Sequence, residues 1–422
     1  MSEITKVIGR RVWDSRGRPT VEAEVTLADG SVGRGIAPAG ASRGTREAID
    51  LRDGGAKLGG LDVQRAVANV NGEIARTLVG RNAHDQAGAD QTLITLDATP
   101  NKARLGGNAT VAVSIAVLHA SAKSAGKPLW ERVSEDRPIS MPLPEIQIFG
   151  GGAHAGQRVD IQDFMVMPLG AKSFAEALEM TAEVYLAAGS LMKAAGKLAG
   201  VADEGGWWPV FNANEEALEM LTRAIDKVGF AHTDMAISLD IAASEFGANG
   251  QYELGLEKRH LDTAGLIDML GKWLDAYPIV SIEDPLAEDD EAGLIEFTRR
   301  FGARVQIIGD DYLVTNAARV EQAAKLKAVN SALIKLNQAG TVTETKAALD
   351  AAKAQGLSTL VSARSGETED VTITHLAVGW NAGQLKVGSF ARSERMAKWN
   401  EAIRIEESSG AAFTGRAALV RV

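Results

Sequence analysis

Six charged residues fall at or just after the ends of six short apolar runs, and their spacing restricts the fold more than any other feature of the chain. They are Asp240, Glu283, Asp310, Lys335, Arg364 and Lys386, separated by 43, 27, 25, 29 and 22 positions. Intervals of that size match one strand plus one helix, with a single longer unit. The runs themselves, MAISLDI, PIVSIED, VQIIGDD, SALIKLN, LSTLVSA and GQLKVGS, are dominated by apolar and β-branched residues, as buried parallel strands are. DFMVMPL reads as a further strand, and TAGLIDMLGKWLDAY and TVTETKAALDAAKAQG as amphipathic helices between strands. Charges at the carboxyl ends of successive parallel strands surround one mouth of a closed barrel, where such barrels place their active sites.

The first third of the chain has a different texture. TVEAEVTLADGSVGRGIAP alternates apolar and polar residues on both sides of Ala28-Asp29-Gly30, a hairpin pattern. RLGGNATVAVSIAVLHASAKSAG reads as a mostly apolar helix stopped by Gly126 and Pro128. The change near residue 140 predicts an α/β protein of two domains, an N-terminal α+β domain over 1–138 and a barrel over 139–422. A length of 422 residues is too great for one core of ordinary size. The absence of cysteine excludes disulfides, thiolate catalysis and cysteine metal sites. A formal charge of −10 argues against nucleic acid as the primary partner. No apolar run approaches the ~18 residues of a membrane span, and the start, MSEITKVIGRRVWDSRG, lacks the pattern of a signal peptide. The expectation is a cytoplasmic enzyme.

The chemistry follows from residue type. Asp240, Glu283 and Asp310 are three hard oxygen ligands from three strands, suited to Mg²⁺. Any one of them alone fits a helix cap or an ion pair equally well. Lys335, within an alternating apolar run, predicts a buried lysine, which is rare unless paired or functional, and near metal ligands its pKa can fall enough for a general base. Such a set suits removal of a proton next to a substrate carboxylate, where the dianion needs fixed positive charge. Glu204, in VADEGGWWP, is the candidate acid for a leaving group, with an exposed loop glutamate as the other reading. His154, in GGGAHAG, reads as a mobile loop ligand. Arg364, Ser365 and Lys386 form an anion clamp for a phosphate or carboxylate.

Beyond these readings, the chain resembles the enolase family (phosphopyruvate hydratase) over nearly its whole length. The resemblance rests on DSRGRPTVE (14–22), PAGASRGTREA (38–48), GGAHAG (151–156), ADEGG (202–206), SLDIAASEF (238–246), SIEDPL (281–286), GDDYLVTN (309–316), LIKLNQAGT (333–341), RSGETED (364–370) and ARSERMAKWNEAIRIEE (391–407). It implies an enolase-type TIM-like barrel, departing early from strict βα order, beneath an N-terminal α+β capping domain. It further implies a small phosphorylated acid as substrate, Mg²⁺ on Asp240, Glu283 and Asp310, and a second Mg²⁺ arriving with substrate and aided by Ser42 in a mobile loop. Lys335 would be the base and Glu204 the acid, with His154, Gln162, Asp163, Arg364, Ser365 and Lys386 around the substrate, and a homodimer or higher oligomer as the assembly.

The chain also departs from the family pattern. Ala363 stands where enolases ordinarily carry histidine, and Asp163 where they carry glutamate. Trp207, Trp208 and Val210 alter the DEGG loop, Arg43 replaces a usual threonine, and LPEIQIFGGGAHAG lacks the usual asparagines. The metal carboxylates, Lys335, Lys386 and the Arg364–Ser365 pair are retained. The changes are expected to open space around the leaving hydroxyl and to reshape the closing loops. Three readings stay open here: a diverged glycolytic enolase, a paralogue using the same enolate chemistry on another phosphorylated or phosphonate acid (the carboxyphosphonoenolpyruvate synthase type), and a non-catalytic binding protein.

Overall fold

The protein is described from a computed structural model covering residues 2–419. The N-terminal region forms an antiparallel sheet in the order β1 (Ile4–Trp13), β2 (Pro19–Leu27), β3 (Val32–Ile36). The expected hairpin is β2–β3: Thr26 pairs with Val32, and the turn closes through Leu27 N to Ser31 O at 2.9 Å. The apolar helix spans Gly107–Ser124. It has almost no polar face because both sides are covered, one by β2 and β3, the other by the helices Leu336–Ala339 and Val342–Ala354.

Eight strands then close a barrel: β4 (Leu143–Gly150), β5 (Asp163–Met167), β6 (Ala236–Asp240), β10 (Ile279–Glu283), β11 (Gln306–Gly309), β12 (Ser331–Ile334), β13 (Ser358–Ser362) and β14 (Gly383–Ser389). A small sheet of β7 (Gly247–Ala248), β8 (Gln251–Leu254) and β9 (Arg259–Asp262) lies outside it. All seven runs read as strands are strands, and β4 completes the ring.

Uniform βα order is not what is found. β5 runs antiparallel to both β4 and β6, and two helices, Phe174–Ala194 and Asn214–Val228, follow in succession before β6. The reversal decides where side chains emerge. Asp163, the first residue of β5, pairs with Asp240, the last of β6, so a strand start and a strand end open onto the same mouth.

The N-terminal region is fastened over that mouth. Ala39 and Gly366 exchange two backbone hydrogen bonds, and Ser15 N donates to Glu367 O at 2.8 Å. Asp90, buried, accepts from Thr343 N (2.9 Å) and Thr343 Oγ1 (2.6 Å), and so caps a barrel helix from the other domain.

Candidate active site

The six charged residues converge as the spacing requires. Asp240 and Glu283 end β6 and β10, Asp310 follows β11, Lys335 follows β12, Arg364 lies two residues past β13, and Lys386 sits inside β14. All six are buried. One small cavity is lined by Ser42, His154, Gln162, Asp163, Glu204, Asp240, Lys335, Ala363, Arg364, Ser365 and Lys386, so every residue expected at the site except Glu283 and Asp310 borders it.

The expected metal triad is interleaved with lysines. Lys386 Nζ lies 2.9 Å from Asp240 Oδ2 and 2.7 Å from Glu283 Oε2, and Lys335 Nζ lies 2.5 Å from Asp310 Oδ2. Two other sets of three side chains bring ligand-type atoms within 4.8 Å of one another, His154/Asp163/Glu204 and Asp284/Asp310/Asp311. Asp240, Glu283 and Asp310 do not form such a set; Lys386 bridges the first two and Lys335 pairs with the third. The carboxylates still fit a hard cation. Glu283 Oε1 is buried with no hydrogen-bond partner among the described residues. Burial, then the neighbouring Asp240, pushes the Glu283 carboxyl well above its usual range, a crowding that added positive charge relieves. Asp284, in a left-handed conformation (φ 41°), orients the loop by accepting from Asp310 N and Asp311 N, both at 2.8 Å.

Lys335 is held in an ion pair. Burial alone would lower its pKa, but the contact with Asp310 outweighs burial and raises it. In this arrangement the ion pair with Asp310 favours the protonated lysine. Lys386 is pushed up in the same way, burial being overcome by Asp240 and Glu283.

Arg364 has its donors engaged. It contacts Glu47 (2.9 and 3.2 Å), Asn337 Oδ1 (2.9 Å) and the carbonyl of Ser42 (3.0 Å), while Ala41 N donates to Ser365 Oγ at 3.1 Å. The segment around Ser42 is thereby drawn onto the clamp. Gln162 Nε2 donates to Asp240 Oδ2 at 3.0 Å.

The opposite side of the cavity is built by loops. His154, in the short helix Gly152–Ala155, is a buried histidine rather than an exposed loop ligand. Its Nδ1 lies 3.1 Å from Asp163 Oδ1, and its Nε2 lies 3.2 Å from Ser365 Oγ and 3.7 Å from Glu204 Oε1. Burial lowers the imidazole pKa, yet Glu204 and Asp163 outweigh it and raise it to about 8. Asp163 is held below the usual carboxylate range, the cost of burial being exceeded by His154 and Lys386. Glu204 is buried, not exposed, on a turn whose Gly205 has φ 93°; a Cβ there would sit 2.3 Å from Ala391 O, so only glycine fits.

The departures from the family pattern lie partly at the cavity and partly away from it. Trp207 does not border the cavity. Its ring stacks on Tyr185 (4.7 Å, 18°) against Gly189, its Nε1 donates to Tyr185 O at 2.9 Å, and Tyr185 OH donates to Gly205 O at 3.0 Å. It anchors the Glu204 turn to the helix Phe174–Ala194. Arg43 likewise turns away, exposed, toward Asp50 at 3.9 Å. Nor do Ala363 and Asp163 leave a void. The room for a water-sized sphere is about 20 Å³, little more than one water needs.

Residues absent from the sequence-based site complete it. Glu47 grips Arg364, Gln338 Nε2 donates to Asp310 Oδ1 at 2.7 Å, and the fully buried Arg395 donates to Arg364 O at 2.7 Å. Gln147 contacts Asp163 and the Gly206 amide. Its signal was the alternation Glu145-Ile146-Gln147-Ile148, which puts two polar residues on one face of a strand.

A closed eight-stranded barrel whose mouth collects carboxylates, lysines and an arginine under a separate α+β domain defines a barrel enzyme that works on a charged small molecule. Residues 4–133 match the model of the enolase N-terminal domain, and residues 138–421 match that of the enolase C-terminal TIM barrel domain. The chain is 48% identical over 412 residues to "Enolase 1" of Desulfitobacterium hafniense (strain Y51), covering 97% of this chain and 94% of that protein. The chain belongs to the enolase family and is an enolase-like carbon–oxygen lyase. Among the described residues no helix is long and apolar enough to cross a membrane.

Proposed function

We propose that the enzyme interconverts 2-phosphoglycerate and phosphoenolpyruvate with Mg²⁺. The observation that carries this reading is that Lys335 and Glu204 border the same cavity from different walls, one at a strand end and one on a loop. Neutral Lys335 Nζ takes the proton from C2, leaving an enolate-type dianion. Protonated Glu204 gives its proton to the C3 hydroxyl, water departs, and the C2–C3 double bond forms. Asp240, Glu283 and Asp310 would hold a divalent cation, which supplies positive charge against the dianion and competes with the two lysines for those carboxylates. Ser42 would serve a second ion. Arg364, Ser365, Lys386, Gln162, Asp163 and His154 would hold the phosphate, the carboxylate and the leaving end. Burial of the whole set keeps water from the dianion.

The proposed division of labour is 1–138 as capping domain and 139–422 as catalytic barrel, assembled as a homodimer or higher oligomer in the cytoplasm and acting in glycolysis. Light scattering should give a mass of at least twice 44.5 kDa.

The test separates the two half-reactions. With 2-phosphoglycerate and Mg²⁺, phosphoenolpyruvate is followed by absorbance and C2 proton exchange by NMR in deuterated water. Lys335→Ala should reduce exchange by about 10²–10⁴-fold. Glu204→Gln should spare exchange and stop dehydration. Exchange unchanged in Lys335→Ala would remove the lysine as base.

One observation favours a second reading. One part of the cavity lining, Ala363, Val387 and Gly388, carries no polar side chain. The same enolate chemistry on another phosphorylated or phosphonate acid fits that lining. Faster turnover of such an acid than of 2-phosphoglycerate would establish it.

A further inference from the structure

Gln147 joins the two carboxylate-bearing segments at the Glu204 end of the cavity. It lies on β4 with its side chain inside the barrel, 0% exposed. Its Oε1 accepts from Gly206 N at 2.9 Å, and its Nε2 donates to Asp163 Oδ1. The orientation of the amide is not ambiguous. A backbone N–H can only donate, so the carbonyl end must face Gly206, and the NH₂ end is left for the carboxylate. The fit is close: a Cβ on Gly206 would lie 2.4 Å from Gln147 Oε1, so only glycine allows the approach.

The consequences reach Glu204. Asp163 Oδ1 receives the Gln147 amide and also faces His154 Nδ1 at 3.1 Å. An oxygen facing two donors acts as acceptor only, which favours the ionised carboxylate. His154, held at that anion, presents Nε2 to Glu204 at 3.7 Å. Gly206 is two residues after Glu204 in the same turn, and Ala202 N to Gly206 O at 2.8 Å closes that turn. One carboxamide therefore ties Asp163 to the seat of the Glu204 turn.

We propose that Gln147 is a positioning residue for the elimination half-reaction, tying Asp163 to the turn that carries Glu204. This rests on the reading of Glu204 as proton donor to the leaving hydroxyl. The side-chain hydrogen bonds of Gln147 go to Asp163 and Gly206 and not to Lys335 or the expected metal carboxylates, so its loss is expected to fall on elimination rather than on deprotonation.

The test measures C2 proton exchange and dehydration of 2-phosphoglycerate side by side in Gln147→Leu and Gln147→Glu. The leucine variant keeps the volume and loses both hydrogen bonds. The glutamate variant keeps the bond from Gly206 and places a second carboxylate against Asp163. Both should lose about 10²-fold in dehydration, the cost of a misplaced reacting group, with exchange near the wild-type rate. In the glutamate variant the acid limb of the dehydration pH profile should also move upward, because two adjacent carboxylates share a proton. A role confined to packing would lower exchange and dehydration together and leave the pH limb in place. If Gln147→Leu does not fold, Gln147→Glu gives the same split. Equal losses in both reactions, or dehydration unchanged, would overturn the assignment of Gln147 while leaving the proposed reaction intact. Absence of exchange in the wild type would overturn both.

Discussion

The two sides of the barrel mouth are built by different means. On one side, β6 and β10–β14 run parallel and deliver Asp240, Glu283, Asp310, Lys335 and Lys386 from strand ends or from within a strand. On the other, the antiparallel β4–β5 hairpin and the turn at 202–206 bring in His154, Asp163 and Glu204, and hold them by side-chain hydrogen bonds through Gln147, Ser365 and Tyr185. The first side is fixed by sheet geometry, which few substitutions disturb. The second is fixed by a network in which each member depends on its neighbours. The departures from the family pattern, Ala363 and Arg43 excepted, lie on or beside the second side. Chemistry set by the strands is the more constrained, and chemistry set by loops is where variation is tolerated.

The largest expected effect tests the parallel side. Asp310→Ala should weaken Mg²⁺ binding, measured by titration calorimetry, by more than the about 10–100-fold that loss of an outer-sphere partner typically costs. Asp163→Asn should leave the affinity near wild type. Equal affinities for wild type and Asp310→Ala would mean that the two sides do not differ in this way.

This contrast also explains what could be read from the chain alone. A strand end in a parallel barrel announces itself through a regular interval, so Asp240, Glu283, Asp310, Lys335, Arg364 and Lys386 were accessible without any structure. Asp163 breaks the rule because its strand runs backwards, and its mouth residue is therefore the first and not the last. His154, Glu204 and Gln162 sit on connections with no periodicity; the glycine-rich segments GGGAHAG and VADEGGWWP pointed to His154 and Glu204, and only resemblance pointed to Gln162. Glu47, Gln338 and Arg395 reach the site from sequence-distant elements through single contacts, and no local pattern encodes such contacts. The packing of Trp207 was not legible for a related reason. Its neighbours in sequence are site residues, but its ring packs the opposite way.

The next effect probes the electrostatics of the loop side. His154 has a folded pKa of about 8, above the ordinary 6.5, because Glu204, Asp163 and Asp240 outweigh burial. A raised histidine pKa contributes stability that is fully present below about pH 6.5 and lost as pH rises through about 8. The shift corresponds to about 2 kcal/mol. Denaturant unfolding of wild type and His154→Gln should differ most near pH 6, and the difference should shrink by about that amount by pH 9. A difference independent of pH would show that the His154 pKa is the same in the folded and unfolded protein.

The smallest effect separates anchor from lid. Trp207 Nε1 donates to Tyr185 O, and the ring lies stacked on Tyr185 against Gly189. Trp207→Phe removes the donor and keeps an aromatic ring, so the stack persists while Tyr185 O loses a partner. Such a loss costs about 1 kcal/mol, read as a lower midpoint of denaturant unfolding with unchanged slope. The substrate KM should not move, because the ring does not border the cavity. A residue of a closing loop would behave in the opposite way, altering KM and kcat together with little change in stability. If Trp207→Phe changes KM and leaves the unfolding midpoint where it was, the ring belongs to the closing machinery and the loop side is a moving element. If only the midpoint falls, the Glu204 turn is fixed in place before substrate arrives, and closure belongs to the segment around Ser42, which already contacts Arg364 and Ser365.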